Sequence, residues 1–424
     1  MPLLSLFFTQ SSIKPRQNQT KTTQTFINLT KKSYQMENKL KSNIWKYYLY
    51  RIFGSAVFTS PIWILYLRDN GLSLTQSMLL QTFYIVIMLF ATIPMGALAD
   101  FWSRKNVLIL SQLLNAAGTF IFFISHNFYG FLAGEFILGM ATASYFGVQE
   151  AFIYDTLKQV KNIKLYKKVI GNIYAINDLM FGVVGMFGAA IAAAISMRFT
   201  FGISVVPILI AGIVCFSFKE PKHKKQLYEK GYFQHIKETL IFTSKHKDLK
   251  FIMGLSALLG GFMFITFFMF QVYFQDMGVS IKYIGILYAV MFAFSAIGGK
   301  IAHDVESRLK EKYTSIFVVG FPAVLLLVSA LTKTWIGIPF AILTWLTSGS
   351  LKNVFTADFI NKHASSHHRA TVMSISILVG NIFFAIISPI FGFIADTSGV
   401  KNVFLVMSIV LFLYLGYLWW YFRK

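Results

Sequence analysis

The sequence predicts an all-α membrane protein of twelve transmembrane helices in two six-helix bundles, and three observations carry this reading. Of 424 residues, 56% are hydrophobic and 13% charged, too little charge to coat a soluble globule of that size. The apolar residues fall into runs of about twenty or more, the length that crosses a hydrocarbon core of roughly 30 Å as a helix. Lysine and arginine collect in alternate connections between those runs, as they do in membrane proteins of fixed orientation.

The elements follow in order. Residues 1–44 precede the first run; the first 35 contain no Asp or Glu and are rich in Thr, Gln, Asn and Ser, so this stretch reads as a disordered cytoplasmic extension. Its LLSLFF is too short for a signal-peptide core. Spans at 45–67, 73–98, 106–125, 128–154, 167–196 and 199–218 form a first bundle over 45–218. A basic cytoplasmic loop, 219–248, follows. Spans at 249–276, 281–302, 313–332, 335–360, 370–396 and 401–422 form a second bundle over 249–424. Short connections make neighbouring helices antiparallel hairpins. Arg68, Arg198, Lys282, Lys333 and Lys401 stand singly in one set of loops. The alternate set holds Arg104 and Lys105, a lysine series from Lys158 to Lys168, the central loop, and Arg308, Lys310 and Lys312. This bias places both termini in the cytoplasm, and the inner cell membrane is the expected location. Within the central loop, KEPKHKKQLYEKGYFQHIKETLIF reads either as a tether whose charge fixes topology or as an amphipathic segment lying along headgroups.

The halves echo each other. YAINDLMFGVVGMFGAAIA, from Tyr174, aligns with LVGNIFFAIISPIFGFIAD, from Leu378, at an offset of 204 residues that pairs Asn177 with Asn381, Phe187 with Phe391 and Gly188 with Gly392. It also superposes the fifth and eleventh spans, as a duplicated six-helix unit requires. The net charge of +22 is spread between apolar runs and suits a membrane surface, not nucleic acid. Cys215 is alone, so no intramolecular disulfide forms. HASSHHR, from His363, reads as a solvated loop at a helix end and not as a metal site. Nothing resembles a phosphate-binding loop, a paired-cysteine site or a nucleophile triad, so neither an enzyme nor a cofactor is expected.

Between the second and third spans stands GALADFWSRKNVL, which resembles the signature G-x-L-A-D-R-x-G-R-K of the major facilitator superfamily. It matches at Gly96, Leu98, Ala99, Asp100, Arg104 and Lys105, and departs at Phe101 and Ser103. The resemblance implies a conformational latch formed by Gly96, Asp100, Arg104 and Lys105. Gly96 admits a close helix, Asp100 meets a helix N-terminus or a basic partner, and Arg104 holds a carboxylate or carbonyls. The plainer reading is that Arg104 and Lys105 mark the inner side. SPIWILYLRDNGLSLTQ, IPMGALAD, EAFIYDTLK and RATVMSIS resemble a bacterial, multidrug-efflux-like branch. In that branch an acid often stands two residues before the second-span proline, where this chain has Thr92.

Charges at membrane depth are functional candidates by default. Asp178 lies about ten residues into the fifth span, ~15 Å deep, and reads as a proton carrier or as a packing carboxyl. Glu135 falls where the family's fourth-span pattern R-x-x-x-G-x-x-x-A has its arginine, so the charge is inverted at a position linked to proton coupling. Glu150 and Asp155, with Arg51, Lys352 and Lys168 as expected partners, read as an inner gate or as static ion pairs. The fifth-span glycines Gly182, Gly185 and Gly188 permit close packing, without the proline of the antiporter motif. For the substrate cavity the aromatic and polar residues of the first, fourth, seventh and tenth spans are the guide: Trp63, Tyr66, Tyr145, Gln271, Tyr273 and Trp345, with Asn177 and Asn381 from the repeat. Such a lining suits an amphipathic or cationic organic solute. The expected function is a monomeric secondary active transporter moving a small molecule by alternating access, as proton-coupled efflux. A proton-coupled uptake carrier, or a transport-inactive receptor or scaffold on the same fold, is the alternative.

Overall fold

The computed structural model describes residues 38–222, 243, 245–365 and 368–423, and every regular element among them is helical. The first half contains α1 (38–54), α2 (Trp63–Asp69), α3 (Leu74–Phe101), α4 (Arg104–Ile124), α5 (Phe128–Tyr145), α6 (Val148–Gln159), α7 (Tyr166–Ala194) and α8 (Met197–Phe216). The second contains α9 (Lys247–Asp276), α10 (Ile281–Leu331), α11 (Gly337–Leu343), α12 (Lys352–His363), α13 (Arg369–Ser398) and α14 (Val400–Tyr421). Among the described residues nine helices are long and apolar enough to cross a membrane. Helical segments lie under every expected span, but three of those spans, 45–67, 128–154 and 335–360, are broken into shorter pieces, and the spans 281–302 and 313–332 are joined in α10, which kinks at Lys310. Helix α1 starts by residue 38, inside the stretch read from sequence as an extension. The rest of that extension and most of the amphipathic stretch in the central loop lie outside the described residues.

Local sequence explains the helix ends. Ser73 accepts from the Gln76 backbone while the Gln76 side chain accepts from Ser73, a full capping box. Ser103, Asn127 and Ser196 cap α4, α5 and α8 in the same sense. The turn Asp69-Asn70-Gly71-Leu72-Ser73 returns 207 residues later as Asp276-Met277-Gly278-Val279-Ser280. Both glycines have positive φ, 85° and 83°. Both turns close with the same two backbone bonds, Leu72 N to Leu67 O with Gly71 N to Arg68 O, and Val279 N to Phe274 O with Gly278 N to Gln275 O. This is a helix C-terminal motif in which glycine supplies the left-handed residue.

In the first half α4 packs on α5 and α8, and α3 on α5; in the second α10 packs on α14, and α9 on α13. The halves meet where α7 packs on α10 and α3 on α13. The glycine stripe of α7 serves two neighbours at once. A Cβ on Gly285 of α10 would stand 2.5 Å from the Gly185 carbonyl, and Gly188 lies so close to Phe58 that a Cβ there would collide with its carbonyl. Small residues thus let backbones approach where lipid supplies no hydrophobic drive.

The α7 stripe yields a test. Gly188→Ala should lower the thermal unfolding midpoint of the purified protein, because forcing an extra methyl into a packed site costs about 1–3 kcal/mol. Gly171→Ala on the same helix, where a Cβ meets nothing within 4 Å, should leave it unchanged. Equal effects of the two would mean that the α7 packing described above does not set stability.

Candidate functional site

Helix α1 ends at residue 54, and the chain resumes as a short 3-10 turn, Ser60–Ile62, before α2. Pro61, with no N–H to donate, sits in that turn. A break at membrane depth frees backbone groups that lipid cannot satisfy, and side chains take them up. Gln271 of α9 accepts from Ile64 N at 2.8 Å and donates to Ser60 O at 3.0 Å. The Ser204 hydroxyl of α8 accepts from Phe58 N at 3.1 Å. Two further helices are interrupted: Gly147, φ 78°, separates α5 from α6, and a wide turn over Thr347–Leu351, irregular at Gly349, separates α11 from α12.

Beside the first break lies a cavity of about 310 Å³. Amides (Gln81, Gln112, Asn115, Asn177), hydroxyls (Ser55, Ser60, Tyr84, Thr119, Thr142, Tyr145) and Trp63 line it, together with Arg51 and Glu135. Phe267 and Phe268 of α9 form its second-half wall. Glu135 is 1% exposed and accepts from Gln81 Nε2 at 2.8 Å. Tyr84 donates to Thr142 at 2.8 Å. Arg51 donates to Asn177 Oδ1 at 2.6 Å and to Gln149 Oε1 at 3.3 Å. Two polar atoms of this lining are buried without a hydrogen-bond partner, Arg51 Nε and Gln112 Oε1, while the Trp63 indole lies within reach of Glu135.

The expected site residues divide sharply. Trp63, Tyr145, Asn177, Arg51 and Glu135 line the cavity. Gln271 lies behind it as the clasp on the break, and Trp345 packs against Phe267 and Phe292, backing the aromatic wall. Asn381 of α13 does not line it. Tyr66 and Tyr273 are buried in packing, their hydroxyls donating to Phe122 O and Ser329 O. Asp178 is exposed on α7. The expected pairing of Glu150 and Asp155 with Arg51, Lys352 or Lys168 is replaced by other partners. Asp155 is paired with Arg104, whose guanidinium also donates to Ala151 O at 2.6 Å, and Glu150 accepts from the Tyr174 hydroxyl at 2.8 Å. Arg51 is spent on amides, and the Lys352 ammonium lies over Gly260 of α9. Glu220 accepts from the backbone N–H groups of Arg104 and Lys105, and Lys105 Nζ donates to Phe216 O. These bonds of the charged hairpin lie within the first half; Asp100 and Gly96 stand half-buried at the end of α3.

At the basic surface of the second half, Lys362 bridges Glu306 and Asp358, each at 2.5 Å. Lys362 is held above the usual ammonium range by Asp358 and Glu306. His363 stacks on Phe359 and lies 3.7 Å from Glu311. Among the described residues no group of His, Cys, Asp and Glu has metal-site geometry.

The two ends of the molecule differ. At the lysine-poor end, Asp396 at the end of α13 accepts from Leu74 N, Thr75 N and Thr75 Oγ1 at 2.8, 2.8 and 2.6 Å, a carboxylate on the positive end of α3. Thr82 adds bonds to Ala385 O and Ser388 of α13. Arg198 gathers Phe123 O, Ser125 O, Asn70 and His126 of the first half there. Toward the basic end α7 and α10 diverge. The Cβ approach is 2.5 Å at Gly285, widens to 3.7 Å at Gly182 against Ala289, and one turn further Asp178 is exposed. The halves are therefore joined toward the lysine-poor end, and α7 and α10 separate toward the basic one.

Comparison with known proteins agrees with this architecture. The family model for the Major Facilitator Superfamily matches residues 48–379. An uncharacterized transporter, BU466, of Buchnera aphidicola subsp. Acyrthosiphon pisum (strain APS) is 25% identical over 293 residues, 67% of this chain and 71% of that protein. Among solved structures, a mutant of the nucleoside transporter NupG superposes with a TM-score of 0.74 at 15% identity over 90% of this chain and 99% of that one. A bacterial homologue of the human lysosomal transporter Spinster, inward-facing and unoccupied, gives 0.70 at 15% over 91% and 96%. A POT peptide transporter in complex with sulfate gives 0.67 at 12% over 89% and 95%.

Closure at the lysine-poor end is testable in a Cys215→Ser background. Asp396→Ala removes three hydrogen bonds from that closure and should shift the balance toward opening by about 1 kcal/mol, roughly fivefold. A cysteine at Ala385, behind the closure, should then react several-fold faster with an impermeant maleimide. An unchanged rate would mean that Asp396 caps α3 without holding the halves together.

Proposed function

The chain belongs to the major facilitator superfamily, and from that premise we propose that it is a proton-coupled secondary active transporter of a small polar organic solute, working by alternating access. It is a carrier and not an enzyme. The cavity with a buried carboxyl in its wall is the observation that carries the reading. An ionised Glu135 in a water-poor cavity needs donors, and Gln81 is one. A proton neutralises the carboxyl; alternatively, a donor group of the solute satisfies its charge. Proton and solute then compete for one group, and that competition couples their movements in opposite directions. Outward solute transport follows the resemblance to the efflux-like branch. The amide- and hydroxyl-rich wall suits polar solutes, in keeping with the nucleosides and peptides named for the structural neighbours.

The basic end faces the cytoplasm on the lysine and arginine bias, so this conformation is open inward and the chain acts as a monomer around one cavity. The latch residues Gly96, Asp100, Arg104 and Lys105 engage the second half when the cytoplasmic ends come together. In that step Arg104 exchanges Asp155 for contacts across the gap. The exposed Asp178 is the second proton-carrier candidate, because closure buries it against α10.

Flux in proteoliposomes with an entrapped pH dye separates these roles. Glu135→Gln should abolish proton movement driven by a solute gradient while exchange without a gradient survives, since the amide keeps the bond to Gln81 and cannot ionise. Asp178→Asn should leave coupling intact. Coupling lost with Asp178→Asn and retained with Glu135→Gln moves the carrier to α7, and coupling retained by both refutes a carboxyl of either helix as the proton site.

A further inference from the structure

We propose that the transported solute carries an anionic group, a carboxylate or another oxyanion, and that Arg51 receives it. This rests on the reading of the cavity as the transport site. Arg51 and Glu135 are the charged residues of its lining. They stand toward opposite ends of it, Glu135 nearer the lysine-poor end and Arg51 with Tyr145 and Asn177 nearer the basic end. From Glu135 to Tyr145 is ten residues of α5, ~15 Å of helix, so the lining is elongated with a carboxyl at one end and a guanidinium at the other.

Among the described residues the guanidinium has no ion-pair partner. Its bonds go to the neutral oxygens of Asn177 and Gln149; Asp155 is engaged by Arg104 and Glu150 by Tyr174, and Asp178, beside Asn177, is exposed. A buried charge without an opposite charge is costly, and in a binding cavity the missing charge is supplied by the ligand. Arginine presents five N–H donors in a planar fork that matches an oxyanion, and Arg51 Nε is buried and unused. Gln112 Oε1, also without a hydrogen-bond partner, lines the same cavity, and Gln112 is 4% exposed. It supplies one acceptor for the uncharged body of the solute. The second half adds Lys352, 6% exposed and, among the described residues, without an ion-pair partner, so the field at this depth favours anions from both sides.

The solute is therefore a polar molecule with an oxyanion at one end and a hydrogen-bond donor for Glu135 at the other. The aromatic wall alone suggests a cation; the unneutralised arginine reverses that sign.

The test measures binding, without transport, by the thermal shift of purified full-length protein at millimolar probe. The probes are benzoate with benzamide, N-acetyltryptophan with its amide, phenyl phosphate with phenol, and the cation tetraphenylphosphonium. At least one acid should raise the unfolding midpoint where its neutral partner does not. Arg51→Gln should weaken that acid tenfold or more, and Arg51→Lys, a point charge in place of a fork, by less. Should Arg51→Gln fail to fold, weakening in Arg51→Lys confined to the acid carries the same information. The proposal is overturned if acid and neutral partner bind alike, if no acid binds, or if Arg51→Gln leaves acid binding unchanged. Binding of tetraphenylphosphonium alone, strengthened in Arg51→Gln, overturns the anionic solute and leaves the carrier reading standing. Arg51-dependent acid binding in a protein that moves no protons supports the anion site and refutes the coupling.

Discussion

Every backbone N–H and C=O inside a bilayer must find a partner within the protein, and the cavity exists because this chain meets that demand at the break between α1 and α2. Gln271 reaches from the second half to satisfy one donor and one acceptor of the broken segment, Ile64 N and Ser60 O. Ser204 takes Phe58 N. Gly185 and Gly188 of α7 leave room for the irregular chain, facing Pro61 and Phe58. A continuous helix would carry its own hydrogen bonds and need none of this. The break directs the residues on either side of it, Arg51, Ser55, Ser60 and Trp63, toward one cavity, and Gln271 ties the broken segment to α9, so that displacement of the second half is felt at the site.

The same economy distinguishes the two ends of the molecule. At the lysine-poor end the halves are joined by groups that need one another: a carboxylate, Asp396, on the unsatisfied N–H groups of α3, and a hydroxyl, Thr82, on a carbonyl of α13. At the basic end the charged groups are satisfied within their own halves, Arg104 by Asp155 and Lys362 by Glu306 and Asp358. The Lys362 ammonium is 48% exposed and its pairs contribute little individually, whereas the Arg104–Asp155 pair is only 14% and 16% exposed and holds more strongly. The two ends thus differ: the halves are joined at the lysine-poor end, and on the proposed cycle the basic end closes in the other conformation.

Much of this was legible in the sequence, and the parts that were not share a cause. Apolar runs locate helices because membrane thickness fixes their length, and GALADFWSRKNVL identifies the family because glycine and charge at that spacing are rare between spans. The glycines of α7 announce close packing, and the structure supplies their partners. Glu135 stands out because a carboxyl at an arginine position is anomalous. The break before α2 passes unnoticed, since Ser60 and Pro61 sit in a run whose hydropathy still suits one continuous span. The amides of the cavity are scattered over α3, α4 and α7, each unremarkable alone, and only the fold brings them together. The partners of Asp155 and Glu150, Arg104 and the Tyr174 hydroxyl, are hidden for the same reason: distance across a bundle is not written in spacing along a chain. The repeated turn at Asp69 and Asp276 was present as a pattern, D-x-G-φ-S with φ apolar, and marks the duplication more plainly than the helical segments aligned for it.

The account turns on one conformational claim, that closure at the lysine-poor end and opening at the basic end are two faces of one motion about the cavity. Pulsed electron-electron resonance in liposomes tests it most directly, in a Cys215→Ser background with one spin-label pair at positions 158 and 308 on the basic end and another at 69 and 401 on the lysine-poor end. Each pair should show two distances, and a change of pH or addition of a bound solute should move their populations in opposite senses, the basic-end pair shortening as the other lengthens. Single distances that do not respond, or two pairs that lengthen and shorten together, would contradict it.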